Sequence, residues 1–200
     1  MTDARLRLSG VACARGGRLL FRGVDLALQP GASALLNGPN GIGKSSLMRI
    51  CAGLLRPAAG TVERKGRVAL SDERLALDME ESLGAALRFW AALDGAPPEL
   101  LDRAMAAMAL LPLADVPVRM LSTGQRKRAG LARVIVSGAP IWLLDEPGNG
   151  LDDAALLLLG TAVGSHLEQG GIVLAASHQP LPLLSPQTLS LVDYLPDEDA

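Results

Sequence analysis

The N-terminal part of the chain alternates hydrophobic and polar residues in short runs. The segments RLRL (5–8), LLF and VDLAL alternate up to Leu28, and Gly16–Gly17 interrupts them. Alternation with a period of two, broken by glycines, predicts a small antiparallel sheet. The apolar run ASALLN (32–37) then predicts a further strand.

Helical and strand-like patterns follow in turn. Lys44 to Leu55 are expected to form one helix, which RPAAG closes, and TVERKGRVAL (61–70) is expected to return as a strand or a hairpin. From about 78 to 137 the chain is rich in Ala and Leu at helical spacing, which predicts a helical subdomain. Pro97–Pro98 marks the start of one of its helices, because proline is tolerated in the first turn.

Unbroken apolar runs near the C-terminus predict buried strands. IWLLD (141–145) suits a parallel sheet that is covered on both faces. A helix over 152–168, a strand over 171–177 and a last strand near 188–195 are expected to follow. The predicted fold class is therefore α/β, with an N-terminal antiparallel β subdomain and a helical subdomain attached to the core.

Composition excludes several classes of protein. The chain of 200 residues is 49% hydrophobic with a net charge of −2, which argues against disorder and against a nucleic-acid partner. Cys13 and Cys51 lack metal-ligand spacing and are expected to be buried, reduced thiols. No signal-peptide pattern opens the chain, and its longest apolar stretch is shorter than the ~20 residues of a spanning helix. If the protein works at a membrane, something other than a spanning helix must therefore hold it there.

A glycine-rich loop, GPNGIGKSS (38–46), joins the strand of ASALLN to the following helix. Glycines at such a junction can simply turn the chain, but the spacing G-x-x-x-x-G-K-[ST] between a strand and a helix favours phosphate binding. Backbone N–H groups and the helix N-terminus attract anions, Lys44 would reach the β- and γ-phosphates, and the Ser45 hydroxyl would bind Mg²⁺. The predicted nucleotide ligands of this loop are Gly38, Pro39, Asn40, Gly41, Ile42, Gly43, Lys44, Ser45 and Ser46.

Polar side chains follow two of the predicted buried strands. Asp145 and Glu146 end the first strand, where ligands bind in open α/β sheets. Asp145 is the candidate Mg²⁺ ligand and Glu146 the candidate catalytic carboxylate, although Asp, Glu and Pro also favour simple turns. His178 follows the second strand and is expected to contact the γ-phosphate as a second catalytic residue, although a lone histidine is more often structural.

A second candidate anion site, LSTGQ (121–125), opens a predicted helix. Ser122 or Thr123 would serve there as an N-cap in any case. The Ser122 hydroxyl, Gly124, Gln125 and the helix N-terminus could also hold a γ-phosphate. Since one phosphate loop needs only one such site, this second site is expected to serve the nucleotide of another copy of the chain. Asp152, in GNGLDD, is either part of the site or only the cap of the next helix.

The order of these motifs resembles that of ATP-binding cassette (ABC) ATPases, and the matches span essentially the whole chain. The resemblance implies a P-loop NTPase of ABC type as a single domain over 1–200, with ATP and Mg²⁺ as cofactors. It also implies an ATP-dependent head-to-tail homodimer, in which LSTGQ is the signature motif that faces the partner's phosphate loop. RKR at 126–128 would then be the exposed start of the signature helix.

A narrower resemblance rests on RGGRLLF, RPAAGTV, LSTGQRKRAGLAR, Trp142 and especially QGGIVLAASHQPL. These stretches are similar to the haem-exporter ATPases of cytochrome c maturation. The resemblance implies an ATP hydrolase that energises a membrane-embedded subunit of CcmB type, with other cytochrome c maturation proteins, peripherally on the cytoplasmic face of the bacterial inner membrane. Whether haem itself is carried, or ATP instead drives the release of a haem-loaded chaperone, stays open. Nothing in the sequence resembles a haem ligand site, and His166 and His178 are the only histidines.

Two departures from the ABC pattern concern base recognition and coupling. No aromatic residue lies near Ala14 to Gly17 to stack on adenine. Arg15 is the candidate replacement, because a guanidinium plane can lie against a π face, and Phe21 is the second choice. The usual glutamine after the strand that follows the first helix is also missing, and Asp72 or Glu73 is the candidate substitute.

Two alternative functions compete with the leading one. The general motifs also fit the ATPase of another importer or exporter. A non-transport ABC ATPase acting on DNA or ribosomes is disfavoured. DNA-repair relatives insert long coiled coils between the phosphate loop and the Asp–Glu strand, whereas here only about 100 residues separate the two, without sustained heptads. Translation-type relatives carry two cassettes, whereas this chain has one.

Overall fold

Two sheets organise the chain in the computed structural model, which describes residues 3–72 and 74–196. A three-stranded antiparallel sheet has the order β2-β1-β4 and a five-stranded parallel sheet has the order β5-β6-β7-β3-β8. The strands are β1 (Arg5–Arg15), β2 (Arg18–Leu28), β3 (Ser33–Asn37), β4 (Ala59–Lys65), β5 (Val68–Ser71), β6 (Ile141–Asp145), β7 (Ile172–Ala176) and β8 (Gln187–Ser190). The predicted α/β fold class, with its N-terminal antiparallel sheet, is confirmed.

Helices cover the parallel sheet and form the predicted helical region. They are α1 (Lys44–Ala52), α2 (Leu83–Leu93), α3 (Pro98–Ala107), α4 (Thr123–Val136) and α5 (Asp153–Glu168), with short 3-10 turns at Leu111–Leu113, Val118–Met120 and Leu191–Tyr194. The start of α3 at Pro98 confirms the expectation from the proline pair. No helix within the described ranges is long and apolar enough to cross a membrane.

The pattern of burial explains which residues form which strands. In β1 the residues of RLRL alternate between exposed and buried, as a sheet with one covered face requires. All five residues of β6 and all five of β7 are buried, because these strands lie in the interior of the parallel sheet. Cys13 and Cys51 are buried free thiols, as expected, and burial raises the pKa of the Cys51 thiol to about 12.

Three boundaries differ from the prediction. TVERKGRVAL forms no hairpin: β4 pairs with β1 in the antiparallel sheet, and β5 pairs with β6 in the parallel sheet. Helix α1 ends three residues before Leu55, because Gly53 adopts a left-handed conformation and closes the helix. The last predicted strand is short, and a 3-10 turn replaces it from Leu191 onward.

A histidine lies against the outer part of the core. The rings of Trp142 and His166 are stacked, with centroids 3.8 Å apart and planes 11° from parallel. A Cβ at Gly171 would overlap the imidazole, so glycine at that position gives the ring its space. Burial lowers the pKa of His166 to about 4, although the backbone at Ile172 and Pro140 opposes this shift. His166 is therefore neutral at physiological pH.

Candidate functional site

The candidate site lies where three neighbouring parallel strands end. β3 pairs with β7, and β7 pairs with β6, so the residues that follow them meet at one edge of the sheet. β3 leads into the glycine-rich loop, β6 ends at Asp145, and β7 leads to His178. The residues around the resulting cavity of about 240 Å³ are Leu20, Asn40, Gly41, Gly43, Lys44, Ser45, Ser46, Asp145 and Glu146.

Left-handed glycines shape the loop. Gly38, Gly41 and Gly43 have φ of 143°, 80° and 115°, which only glycine adopts readily. A Cβ at Gly38 would lie 3.0 Å from the Ile42 side chain, so Ile42 packs beneath the loop. The ring of Phe21 lies directly under Gly43 and is fully buried. Phe21 is therefore unable to stack on adenine, and the second choice for that role was wrong.

Lys44 is held inside its own loop. Its ammonium donates to the carbonyl oxygens of Gly38 at 2.8 Å and Pro39 at 3.4 Å, and its Nζ lies 2.7 Å from His178 Nε2. Burial lowers the pKa of Lys44, while the negative charges of Glu146 and Asp145 oppose that change. The ammonium thus lies at the cavity wall, close to the place where phosphate charge would be bound.

Glu146 has an unusual backbone and a buried carboxylate. Its φ of 48° is left-handed, and its N–H donates to Ala176 O at 2.8 Å, which fixes the residue beside β7. Its Oε2 accepts a hydrogen bond from His178 N at 3.3 Å, whereas its buried Oε1 has no hydrogen-bond partner. A left-handed non-glycine residue costs on the order of 1–3 kcal/mol and is typical of functional sites. No sequence signal indicates this strain.

The residues of LSTGQ form a capping box at the start of α4. Ser122 Oγ accepts from Gln125 N at 3.2 Å, and Gln125 Oε1 accepts from Ser122 N at 2.8 Å. A Cβ at Gly124 would lie 3.2 Å from Gly150 O, so this glycine permits a close approach of the two segments. None of these residues lines the cavity around Lys44. The Ser122 hydroxyl accepts in the cap and keeps its O–H to donate.

The basic cluster after LSTGQ is partly buried, so its expected exposure was wrong. Arg126 donates to Arg119 O at 2.6 Å. Arg128 donates to Met108 O at 2.7 Å and to Ala109 O at 3.0 Å, at the end of α3. These guanidinium groups satisfy carbonyl groups that a helix end leaves free.

The remaining candidates lie away from the cavity. Arg15 is exposed at the end of β1, opposite Arg18, and does not line the cavity; Leu20 lines it instead. Asp72 lies 3.8 Å from the Arg49 guanidinium and accepts from Arg74 N, while Glu73 lies outside the described residues. Asp152 caps α5 by accepting from Ala155 N at 2.8 Å, as one of its two interpretations expects.

Comparison with known proteins identifies the family. The family model described as ABC transporter matches residues 21–149, a span that begins within β2, includes the phosphate loop and ends four residues after β6. The chain belongs to the ABC transporter family. As an ATP-binding subunit of that family it binds and hydrolyses ATP, and membership implies a transporter partner and dimerisation.

Curated relatives in the ABC family are similar over nearly the whole chain. One from Sphingopyxis alaskensis is 60% identical and covers 86% of this chain and 89% of its own length. Another, from Novosphingobium aromaticivorans, is 54% identical and covers 98% of this chain and 100% of its own length. Both are named cytochrome c biogenesis ATP-binding export protein CcmA. A solved ABC transporter ATP-binding protein from Pyrococcus furiosus, 21% identical with a TM-score of 0.84 over 96% of this chain and all of that chain, has the same fold.

Proposed function

We propose that this chain is the ATP-hydrolysing subunit of an export complex for cytochrome c biogenesis. It would act as one domain over 1–200, peripherally on the cytoplasmic face of the inner membrane, through a CcmB-like membrane subunit and other cytochrome c maturation proteins. The names of its relatives, at 60% and 54% identity, support this assignment. The same names support export as the direction of the coupled transport.

The nucleotide and its metal ion would be held by the loop and by the end of β6. Lys44 and the N–H groups of residues 38–46 supply donors and positive charge for the phosphates. Ser45 and Asp145 both line the cavity, and their oxygen atoms suit Mg²⁺, which binds through one or two protein oxygens together with substrate phosphates. When bound, Mg²⁺ would neutralise charge on the β- and γ-phosphate oxygens.

Glu146 is the residue that this proposal makes the catalytic carboxylate. Its Oε1 is buried without a hydrogen-bond partner, 4.0 Å from Lys44 Nζ and 3.3 Å from His178 Nε2. A carboxylate in that state can accept a proton or orient a water molecule for attack on the γ-phosphate. This unpartnered oxygen, at the edge where the phosphate loop opens, is the observation that carries the proposed chemistry. His178, beside it, would bind the γ-phosphate.

A second copy of the chain would complete each site. Ser122 and Gly124 do not line the cavity of their own chain, yet their helix N-terminus and free hydroxyl proton suit a phosphate. A two-fold head-to-tail dimer would bring them to the partner's phosphate loop and create two equivalent sites. ATP would thereby join two chains, and hydrolysis would release them, which is how the membrane subunit would be driven.

Substitution of Glu146 tests the chemistry. Glu146→Gln keeps the shape of the side chain but removes the base, so we expect retained ATP binding, hydrolysis slower by a factor on the order of 10² or more, and an ATP-trapped dimer. Glu168→Gln, at an exposed position on α5, is the matched control and should hydrolyse ATP at the wild-type rate. Wild-type hydrolysis by Glu146→Gln would exclude Glu146 as the catalytic carboxylate.

The biological assignment needs a different measurement. Affinity purification of the full chain from native membranes should recover a CcmB-like membrane protein and other cytochrome c maturation proteins. Recovery of the membrane subunit of a different transporter would overturn the cytochrome c assignment and leave the ATPase assignment intact.

A further inference from the structure

One ring nitrogen of His178 faces partners with opposite requirements. Its Nε2 lies 2.7 Å from Lys44 Nζ, 2.5 Å from Asn40 Oδ1 and 3.3 Å from Glu146 Oε1. An ammonium group can only donate, whereas an amide oxygen and a carboxylate can only accept. A protonated Nε2 therefore suits the two oxygens, and a bare Nε2 suits the lysine. The same nitrogen cannot do both.

The other contacts of these groups decide which form is favoured. Lys44 also donates to the carbonyl oxygens of Gly38 and Pro39, so it keeps partners when it turns away from the histidine. Glu146 Oε1 is buried and has no hydrogen-bond partner of its own. A proton on Nε2, 3.3 Å away, attracts this oxygen without forming a hydrogen bond to it. The same proton gives Asn40 Oδ1 a donor, whereas a bare Nε2 would place two acceptors against each other, so the contact with Asn40 favours the Nε2–H tautomer.

This tautomer is also the one that a γ-phosphate requires. Phosphate oxygens only accept, so a neutral histidine must present an N–H toward them. A nucleotide in the loop would draw Lys44 to its phosphates and remove the one group that opposes the proton on Nε2. The γ-phosphate oxygen would then take over the hydrogen bond that Asn40 Oδ1 accepts before the nucleotide binds.

We propose that Asn40 is a positioning residue, whose side-chain oxygen holds His178 in the Nε2–H tautomer before ATP arrives. The inference rests on the proposed function, because the contact of His178 with the γ-phosphate belongs to it. The side chain of Asn40 thereby has a role that the backbone of the phosphate loop does not have. It selects the tautomer of His178, a residue 138 positions away in the sequence.

Nitrogen NMR of the imidazole rings tests this directly on the full, nucleotide-free chain. The protein has only two histidines, and His178→Ala identifies which signals belong to His178. At about pH 8, where an ordinary histidine is neutral, we expect the proton of His178 on Nε2 in the wild type. In Asn40→Ala the proton should shift toward Nδ1, because a bare Nε2 then accepts from Lys44.

Asn40→Asp tests whether the Asn40 amide faces His178 with its oxygen atom, as an acceptor, or with its nitrogen atom, as a donor. An aspartate keeps an oxygen acceptor and has no N–H donor, so it should preserve the Nε2–H tautomer, although its charge should weaken ATP binding. A wild-type protein with the proton on Nδ1, or an Asn40→Ala protein with an unchanged tautomer, would overturn the proposal. So would loss of the Nε2–H form in Asn40→Asp, because Asn40 would then act as a donor.

Steady-state kinetics provides a second readout. Asn40→Ala should lower kcat about threefold to tenfold, the effect of one weakened hydrogen bond, with a smaller change in KM for ATP. A change in KM alone would indicate that Asn40 only binds nucleotide, and would contradict the positioning role. The tautomer is measured without nucleotide, so an NMR result that contradicts the role of Asn40 leaves the proposed ATPase function intact. Conversely, normal turnover in Glu146→Gln would refute the proposed catalytic role of Glu146 and leave the tautomer result unaffected.

Discussion

The contact between Gly43 and Phe21 allows a quantitative test of how the phosphate loop is supported. A Cβ at position 43 would lie 2.9 Å from Cε1 and 3.0 Å from Cδ1 of the Phe21 ring, which is fully buried. Real Cβ atoms almost never come so close, so Gly43→Ala must displace either the ring or the loop. The φ of 115° at this position adds backbone strain.

The expected cost follows from these two terms. Backbone strain contributes about 1–3 kcal/mol and overpacking another 1–3 kcal/mol, so Gly43→Ala should lower the free energy of unfolding by about 2–6 kcal/mol. Gly41→Ala is the matched control, because Gly41 has a φ of 80° and nothing within 4 Å of its Cβ. The control should lose only the backbone term, which leaves a difference of about 1–3 kcal/mol for the clash.

Urea unfolding of the nucleotide-free protein measures both losses, and a double-mutant cycle assigns the difference to Phe21. Phe21→Val removes the ring atoms that the added Cβ would meet, so Gly43→Ala should cost less in that background than in the wild type. Equal losses for the two glycine variants, or additive losses in the cycle, would refute the view that the Phe21 ring limits the loop.

Three further predictions follow from the site and the core. Ser122→Arg should bind ATP as a monomer but neither dimerise nor hydrolyse ATP. Mixing it with Lys44→Ala should restore some ATPase activity through the intact site of each mixed dimer. Normal hydrolysis by monomeric Ser122→Arg would refute a role of Ser122 in the site of another chain. Arg15→Ala should weaken ATP binding by about 1 kcal/mol and leave triphosphate binding unchanged, and equal losses for both ligands would exclude a contact with adenine. The pKa of His166 is about 6.5 in the unfolded chain and about 4 in the folded chain, so the unfolded chain binds more protons between these pH values. The free energy of unfolding should therefore fall by about 3 kcal/mol as the pH drops from 6.5 to 4. His166→Phe keeps a ring against Trp142, so urea unfolding at several pH values should show a smaller fall, and an unchanged fall would assign it to other groups.

The sequence predicts those parts of the molecule that depend on local rules. The spacing of Gly38, Gly43 and Lys44 indicates a phosphate loop wherever it lies between a strand and a helix. The apolar run of β6 predicts a buried strand, and Pro98 predicts the start of α3. Each of these features is determined by neighbouring residues, which is why the pattern is sufficient.

Other features depend on contacts between distant segments. TVERKGRVAL divides between two sheets because β1 and β6, far apart in the chain, offer separate edges to its two halves. The left-handed φ of Glu146 follows from its bond to Ala176 O, which no local pattern encodes. Leu20 lines the cavity although it lacks the chemistry of a ligand, because the hairpin of β1 and β2 lies beside the loop.

The strand order also determines when, during synthesis, the phosphate loop can become functional. β3 ends at Asn37, but its neighbours in the sheet are β7 and β8, which begin at Ile172 and Gln187. At about 5–20 residues per second, a ribosome needs roughly 7–27 s to add the 135 residues from 38 to 172. During that interval β3, the strand that leads into the loop, has neither of its sheet neighbours. We therefore expect the nucleotide site to form only near the end of translation, so that in the proposed ATP-dependent dimer only nearly complete chains could pair.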